Sequence, residues 1–351
     1  MTEPRPRRRQ SGQPTVNDVA RLAECSPMTV SRVINGGSGV REETRLAVEA
    51  AIRELNYAPN RAARSLAGAS QIRLALLYAN PSAAYLSELL LGAIDAASRL
   101  DAHLVVERCE SDGDQTRLIS RLVNAGMDGF VLPPPLCDDP GLLAQLRRMR
   151  AQAILIGPGR AEAHHAAVMI DDYQAAYDMT RHILDLGHRR IGFIIGNPAQ
   201  SVSELRLAGY RDAMGDAGAD VDETLIRQGA FTYRSGMTAA SELLALDQRP
   251  TAIFASNDDM AAGCVAAAQR RRLDIPRDLT ICGFDDTALA STIWPELTTI
   301  RQPIREMAES AIDLLVQDIR LEKQKQPRKP QHLTLDYAMV QRESDAAPAS
   351  A

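Results

Sequence analysis

Residues Thr15–Ala67 read TVNDVARLAECSPMTVSRVINGGSGVREETRLAVEAAIRELNYAPNRAARSLA, and this stretch decides the fold of the N-terminal part of the chain. Apolar residues at helical spacing after Thr15 predict a first helix, because threonine is a favourable N-cap. Ser26-Pro27 predicts the start of a second helix, and Asn35-Gly36-Gly37 can end it in left-handed backbone. A third helix is predicted from about Glu42 to Leu55, with an apolar face made of Leu46, Ile52 and Leu55. Two short helices joined by a tight turn and braced by a third are typical of helix-turn-helix DNA recognition.

The amino-acid sequence of this stretch is more specific evidence of function than its helical pattern. It resembles the headpiece of the lactose-repressor/galactose-repressor (LacI/GalR) family. Four segments carry the resemblance in order and spacing: Asp18-Val19-Ala20, Thr29-Val30-Ser31-Arg32-Val33, Glu54-Leu55-Asn56-Tyr57 and Pro59-Asn60-Arg61-Ala62-Ala63-Arg64-Ser65-Leu66. The resemblance implies a DNA-binding headpiece at residues 15–59, then a hinge helix and linker at 60–70. Residues 1–14 are expected to form a disordered basic arm.

Base readout by such a headpiece depends on side chains near the start of the second helix. Arg32 can donate two hydrogen bonds to guanine O6 and N7, and a phosphate contact is the alternative. Pro27 and Met28 offer only apolar contact, for example to a thymine methyl group. The expected DNA contacts are Pro27, Met28, Thr29, Ser31, Arg32, Asn35, Tyr57, Asn60, Ala63 and Leu66.

The segment Asn60–Ala67 is too short to be a stable helix by itself. The resemblance implies that it pairs with its dimer mate over the minor groove, where Leu66 is pushed between base pairs to kink the DNA. A linker leucine packed on the body is the alternative. Ala67 stands where purine-type relatives have a minor-groove lysine, which favours a sugar regulator over a nucleobase regulator. The expected partner is a pseudo-palindromic double-stranded operator bound by a homodimer.

Length and composition agree with a small headpiece and a large second unit, since 351 residues exceed one typical domain. No apolar run is long enough to cross a bilayer, and the basic start Met1–Gln10 lacks the apolar core of a secretory signal. Five scattered cysteines show no metal-ligand spacing and are expected to be reduced in a bacterial cytoplasm. A DNA-bound protein of this kind is expected at the nucleoid.

Charge is unevenly distributed along the chain. Residues 1–70 hold eleven arginines and seven acidic residues, which gives a net charge of +4. Because the whole chain has a net charge of −5, the remaining residues carry a net charge of −9. A phosphate backbone attracts the first part and repels the second.

Strand-like apolar runs alternate with helical stretches from Ile72 onward, which predicts parallel sheets flanked by helices. This part resembles the periplasmic-binding-protein-like effector domain of the same family. The matching segments are Gly187-His188-Arg189-Arg190-Ile191, Arg206-Leu207-Ala208-Gly209-Tyr210, Ala255-Ser256-Asn257-Asp258, Gly283-Phe284-Asp285-Asp286 and Leu297-Thr298-Thr299-Ile300-Arg301-Gln302-Pro303. The predicted fold class is therefore multidomain α and α/β, with two Rossmann-like subdomains.

Family architecture implies a ligand-binding and dimerisation domain at residues 71–343. Its two interleaved subdomains are expected at about 71–168 plus 302–328, and at 169–301 plus 329–343. The small, polar tail at 344–351 is expected to be disordered.

A ligand clamped between two sheet-based lobes is expected near the C-terminal ends of the strands. Arg206 and Asp285 can hold opposite sides of a hydroxyl-rich effector, or else pair with each other across the lobes. Asn257 adds an amide, and Phe231 matches the stacking aromatic residue of the family, with an ordinary core role as its alternative. Further possible contacts are Tyr78, Asp171 and Trp294.

No motif of an enzyme, metal site or cofactor site is present, so no catalytic residue, metal or cofactor is expected. The expected function is a repressor of carbohydrate-utilisation genes whose operator binding is controlled allosterically by a small, sugar-like effector. The alternatives are a regulator corepressed by a nucleobase, a regulator gated by a partner protein, and a sugar-binding module without a DNA role.

Overall fold

The computed structural model describes residues 14–34, 40–55, 57, 71–109, 115–327 and 329–349. These residues form two compact units, which lie within Met1–Gln71 and within Ile72–Ala351. Nearly all of the basic arm expected at 1–14 and the whole hinge expected at 60–70 fall outside the described residues. Within these ranges, no helix is long and apolar enough to span a lipid bilayer.

The headpiece contains three helices: α1 at Val16–Leu22, α2 at Pro27–Ile34 and α3 at Glu42–Glu54. Asp18 accepts a hydrogen bond from the Thr15 backbone at 2.9 Å, which stabilises the start of α1. The Ser26 hydroxyl accepts from the Thr29 backbone at 3.1 Å and caps α2 as the sequence predicts.

The core of the headpiece consists of Val19, Ala20, Val30, Val48, Ala51 and Tyr57. Ile52 and Leu55 pack against it, but Leu46 is 55% exposed, so the prediction that Leu46 faces the core is wrong. Val48 and Ala51 take the central positions of α3 instead. Because α3 crosses two short helices, its buried stripe is narrow, and Leu46 lies outside it.

The larger unit contains two lobes, each built on a six-stranded sheet. The first sheet has the order β11-β5-β4-β3-β1-β2 and is parallel throughout. Its strands are β1 Arg73–Tyr78, β2 His103–Arg108, β3 Gly129–Leu132, β4 Gln152–Ile156, β5 Ala166–Met169 and β11 His332–Thr334. The helices of this first lobe are α4 Ala83–Arg99, α5 Gln115–Asn124, α6 Pro140–Arg148 and α11 Ile304–Lys323.

The second lobe repeats this design with the strand order β12-β10-β9-β8-β6-β7, in which only β12 is antiparallel to its neighbour among the described strands. The strands are β6 Ile191–Ile195, β7 Ile226–Gln228, β8 Ala252–Ala255, β9 Thr280–Asp285, β10 Thr298–Arg301 and β12 Ala338–Val340. The helices are α7 Asp172–Asp185, α8 Ser201–Asp216, α9 Tyr233–Leu243 and α10 Asp258–Arg270. Short 3₁₀ helices lie at Leu136–Asp138, Glu223–Leu225 and Ala288–Ser291.

The chain returns from the first lobe to the second later than the sequence predicts. Residues 329–343 were expected in the second subdomain, yet β11 pairs with β5 in the first sheet, with Leu333 opposite Val168. The second crossing therefore lies between Thr334 and Ala338. The physical reason is that β5 would otherwise leave an unpaired edge.

The C-terminal segment is ordered through Ala349, which corrects the expected disordered tail at 344–351. The buried Ser344 hydroxyl accepts from the Thr298 backbone at 2.8 Å and donates to the Ile281 carbonyl at 2.5 Å. Asp345 is also buried, and its carboxylate contacts His182 at 2.6 Å. Ser344 satisfies backbone groups near the starts of β9 and β10, and Asp345 pairs with the His182 side chain, so the polarity of this segment is not a sign of disorder.

Candidate functional site

Helix α2 presents one solvent-facing side that contains the residues expected to read DNA. Pro27, Met28 and Arg32 are exposed, and Met28 is 69% exposed. Ser31 is half-buried one turn after Pro27, while Val30 points into the core. Because positions four residues apart share a helix face, this side of α2 is available to a major groove.

The other expected DNA contacts have different surroundings. The Thr29 hydroxyl lies 2.9 Å from the Ser26 hydroxyl, so it supports the start of α2. The Tyr57 side chain is only 8% exposed and packs in the headpiece core. Most of that side chain is therefore unavailable to DNA. Asn35, Asn60, Ala63 and Leu66 lie outside the described residues.

In the larger unit, a cavity lies where the C-terminal ends of strands from both sheets meet. Its lining comes from the C-terminal ends of nine strands or the segments after them and comprises Asn80, Ser82, Tyr85, Pro134, Gly157, Asp172, Gln200, Val202, Arg206, Phe231, Asn257, Asp285 and Gln302. About 40 Å³ of space is free at its centre, enough for a few water molecules. The lobes thus leave little free space between them, an arrangement that we call closed, and the lining of that space includes both polar and apolar groups.

Arg206 is buried in this cavity and is held on several sides. Its Nε donates to Asp172 at 2.8 Å, and a terminal nitrogen donates to the Ser256 carbonyl at 2.5 Å. The Phe284 ring lies 3.6 Å from the guanidinium carbon, in cation–π geometry. Burial raises the pKa of Asp172, while the Arg206 charge opposes that shift. The expected alternative of an Arg206–Asp285 ion pair is not the arrangement formed, because Arg206 pairs with Asp172.

Asp285 sits at the end of β9 in strained backbone, with φ of 113°. It accepts a hydrogen bond from the Gln302 amide at 2.6 Å, and burial raises its pKa well above the usual value. The next residue, Asp286, also has positive φ and is held by Arg301 at 2.7 Å and Arg342 at 2.6 Å. Two ion pairs therefore stabilise a turn that aims Asp285 into the cavity.

Asn257 and Phe231 are coupled to each other. Asn257 caps α10 by accepting from the Met260 backbone at 2.9 Å, and its amide donates to the Phe231 carbonyl at 3.3 Å. The Phe231 ring packs so closely on Gly196 that a Cβ there would lie 1.9 Å from it. Asn257 thus helps to position the aromatic ring. The sequence predicted only a contact between Asn257 and the effector.

Two sets of hydrogen bonds, which we call the cross-lobe latches, join the lobes at the rim of the cavity. In the first, the Ser82 hydroxyl donates to Asp259 at 2.5 Å. In the second, Ser201 donates to Asp138 through its hydroxyl at 2.6 Å and its backbone at 3.0 Å, and accepts from the Gly159 backbone at 2.8 Å. Burial raises the pKa of both aspartates. The latches favour the closed arrangement.

Three residues considered for the cleft lie elsewhere. Tyr78 is half-buried at the end of β1 and packs against the first core. Asp171 is exposed and caps α7, accepting from the Gln174 backbone at 2.9 Å, while its neighbour Asp172 lines the cavity. Trp294 is 73% exposed. None of the three is among the cavity-lining residues.

Sequence reasoning also missed part of the lining: Asn80, Ser82, Pro134, Gly157, Gln200, Val202 and Gln302. Each lies within seven residues after the end of a strand, and that position is the signal that could have found them. Within the described ranges, no group of three or more His, Cys, Asp or Glu residues is arranged to hold a metal ion.

A helix-turn-helix headpiece and a two-lobed domain with a polar cleft, in one chain, define the class of ligand-responsive DNA-binding regulators. Comparison with known proteins agrees. Residues 15–60 match the family of bacterial regulatory proteins of the lacI type, and residues 180–344 match the periplasmic binding protein-like domain.

Relatives match along most of the chain. Catabolite control protein A of Priestia megaterium is 32% identical over 303 residues, which cover 86% of this chain and 91% of that protein. The structure of the transcriptional regulator CelR–cellobiose complex is 32% identical, with a TM-score of 0.72 and coverage of 94% and 99%. The lac repressor dimer bound to operator and the anti-inducer ONPF is 28% identical, with a TM-score of 0.77 and coverage of 95% and 99%. This chain belongs to the LacI family; it is a DNA-binding transcriptional regulator and not an enzyme.

Proposed function

We propose that this regulator represses genes of carbohydrate use in the bacterial cytoplasm. A homodimer binds a pseudo-palindromic operator through the exposed face of α2, and a small, sugar-like effector in the cleft between the lobes controls that binding allosterically. The observation that carries the proposal is the composition of the cavity, where carboxylate, guanidinium and amide groups surround aromatic and apolar ones.

A sugar presents hydroxyl groups at its edge and C–H groups on its faces, and the cavity offers partners for both. Asp285 can accept from hydroxyl groups, and the amides of Gln200 and Gln302 can donate or accept. Phe231 and Tyr85 supply ring surface for the C–H faces. This mixture of groups supports a carbohydrate effector.

Control of DNA binding requires an effector that distinguishes two arrangements of the lobes. The free space of about 40 Å³ is smaller than a sugar, so an effector enters only after the cross-lobe latches open. Once inside, its contacts with both lobes change the balance between open and closed arrangements. The similar CelR–cellobiose and operator-bound lac repressor structures support both halves of this proposal.

The test has two stages. Mono- and oligosaccharides are first screened by thermal shift, because ligands of the folded state raise its midpoint. Sugars that bind are then titrated into the protein–operator complex. We expect operator affinity to fall by about 5- to 150-fold, the range of common allosteric coupling. Asp285→Asn should abolish the response, while Asp171→Asn, outside the cavity, should keep it.

Two results would redirect the proposal. Saturating sugar without any change in operator affinity would show that sugar does not control this regulator. Tighter operator binding on adding a nucleobase would indicate corepression instead.

A further inference from the structure

Arg206 is the only cation among the described residues that line the cavity, and its charge is already neutralised. Its Nε and one terminal nitrogen contact the same Asp172 oxygen, at 2.8 and 2.7 Å. The other terminal nitrogen donates to the Ser256 carbonyl, and Phe284 covers the guanidinium. Arg206 is 4% exposed and Asp172 is 2% exposed, so solvent screens this pair weakly. An entering ligand meets a neutral ion pair rather than a positive charge.

Among the described residues that line the cavity, the ionisable groups besides the Arg206–Asp172 pair are the carboxyl group of Asp285 and the phenol of Tyr85. Asp285 lines it, and the latch residues Asp138 and Asp259 lie at its rim. A phosphate or carboxylate entering the closed cavity would lose its hydration without gaining an unpaired cation. It would also lie near carboxyl groups that repel it when ionised.

We propose that Asp172 determines the charge selectivity of the cleft. By neutralising Arg206, it admits uncharged, hydroxyl-rich ligands and excludes phosphorylated or carboxylated ones. This inference rests on the proposed function only in taking the cleft as the effector site. Asp172→Asn preserves the size of the side chain and an acceptor oxygen for Arg206, but it removes the neutralising charge. That single change should turn the cleft into an anion site.

Inorganic phosphate is the probe for this test, because it carries the charge of a phosphorylated ligand without its carbohydrate part. Thermal midpoints of the full chain are measured in phosphate and in chloride of equal ionic strength. The proteins compared are the wild type, Asp172→Asn, Arg206→Gln, the double variant with both changes, and Asp171→Asn. The last is the matched control, since Asn still caps α7 and lies outside the cavity.

At phosphate concentrations about ten times its Kd, the midpoint of Asp172→Asn should rise by about 2–3 °C over its value in chloride. The wild type, the Asp171 control and the double variant should show no phosphate-specific rise. The absence of a rise in Asp172→Asn would overturn the proposal. A rise that persists in the double variant would also overturn it, because the anion would then bind elsewhere.

A second comparison does not depend on the folding of Asp172→Asn. If phosphate stabilises the wild type and Arg206→Gln abolishes that effect, then Arg206 is available to anions with Asp172 in place, and the proposal is wrong. The two proposals fail in different experiments. If the proposed function is wrong, sugars leave operator affinity unchanged, and the phosphate-specific rise of Asp172→Asn can still be observed.

Discussion

Arg32 is the exposed side chain of α2 with the most hydrogen-bond donors, and its role is open to direct measurement. If it reads a guanine, Arg32→Gln should weaken operator binding by about 5- to 150-fold, corresponding to about 1–3 kcal/mol, and leave non-specific binding nearly unchanged. Fluorescence anisotropy with operator and scrambled duplexes at a fixed salt concentration measures both affinities.

Arg32→Lys is the matched control, because it keeps the charge but lacks the planar fork of donors. Guanine readout predicts that lysine also loses specificity. Equal weakening on operator and scrambled DNA by Gln, with recovery by Lys, would identify a phosphate contact instead.

Asp258 lies under the cleft without a cationic partner in contact among the described residues. It accepts from the backbone and hydroxyl of Thr287 and from the Thr299 hydroxyl. Burial raises the pKa of Asp258 to about 7, above its usual value of 3.8. Between these two values the folded state holds a proton that the unfolded chain has lost, so the free energy of unfolding falls as pH rises through this window.

Urea unfolding of wild type and Asp258→Asn at pH 5 and pH 8 measures this contribution. The wild type should lose stability relative to the variant as pH rises, because asparagine carries no charge to bury. Asp247 is exposed, so the control variant Asp247→Asn should show the same pH dependence of the free energy of unfolding as the wild type. A stability difference between wild type and Asp258→Asn that stays constant from pH 5 to 8 would contradict the raised pKa.

At the residue scale, the sequence predicted several of the side chains that meet in the cleft. It did not predict which groups each of them contacts. Arg206, Phe231, Asn257 and Asp285 all line the cavity. The bond between Asn257 and the Phe231 carbonyl was not predictable, because it depends on how two loops fold over one another. The pairing of Arg206 with Asp172 depends in the same way on the position of α8 beside α7.

Both cross-lobe latches join the same two lobes, so we expect them to open together. A substitution that breaks one latch should therefore weaken the other. Ser82→Ala removes the bond to Asp259 and shifts the lobes toward the open arrangement. Hydrogen exchange at the Gly159 amide, which donates to Ser201 in the second latch, should then speed up by about tenfold, the factor for about 1.4 kcal/mol.

The control for this prediction is Ser241→Ala, which removes a hydrogen bond within a single helix, from its hydroxyl to the Met237 carbonyl. That variant should leave exchange at Gly159 unchanged. If Ser82→Ala also leaves it unchanged, the two latches open independently and the lobes do not move as bodies.

The C-terminal segment forms part of the second lobe, and truncation tests its contribution. A chain that ends at Glu343 lacks Ser344 and leaves the Thr298 N–H and the Ile281 carbonyl without their partner. We expect a loss of at least about 2–3 kcal/mol in the free energy of unfolding, since each unsatisfied buried group costs about 1–3 kcal/mol. A chain that ends at Ala349 should match the full chain, and equal stability of both truncations would contradict the role of Ser344.

The sequence predicted the elements more reliably than their connections. Alternating strands and helices gave both lobes, because the buried strands are continuous apolar runs such as Phe130–Leu132 and Ile253–Ala255. The crossing after β11 was misplaced because β11 is exposed and too short to show a pattern of its own. The ordered structure of residues 344–349 was not predicted. Serine and alanine are common both in disordered tails and in segments that pack against strands.

For the whole molecule, division into two units predicts that effector binding and DNA binding separate on truncation. A fragment of residues 72–351 should bind the effector with the affinity of the DNA-free full chain and should not bind operator. In the full chain, operator should weaken effector binding by the same factor by which effector weakens operator binding. Isothermal titration of both proteins, with and without operator, measures these affinities, and unequal factors would show that the two sites are not thermodynamically linked.

The small free volume at the centre of the closed cleft has a kinetic consequence. Because a ligand larger than that space enters only when the lobes part, the rate of capture cannot exceed the rate of opening, however much ligand is present. A ligand of that size also keeps the lobes from returning to this latched geometry while it is bound. The onset of the response would therefore be limited by the rate at which the latches open, even when the ligand concentration rises abruptly.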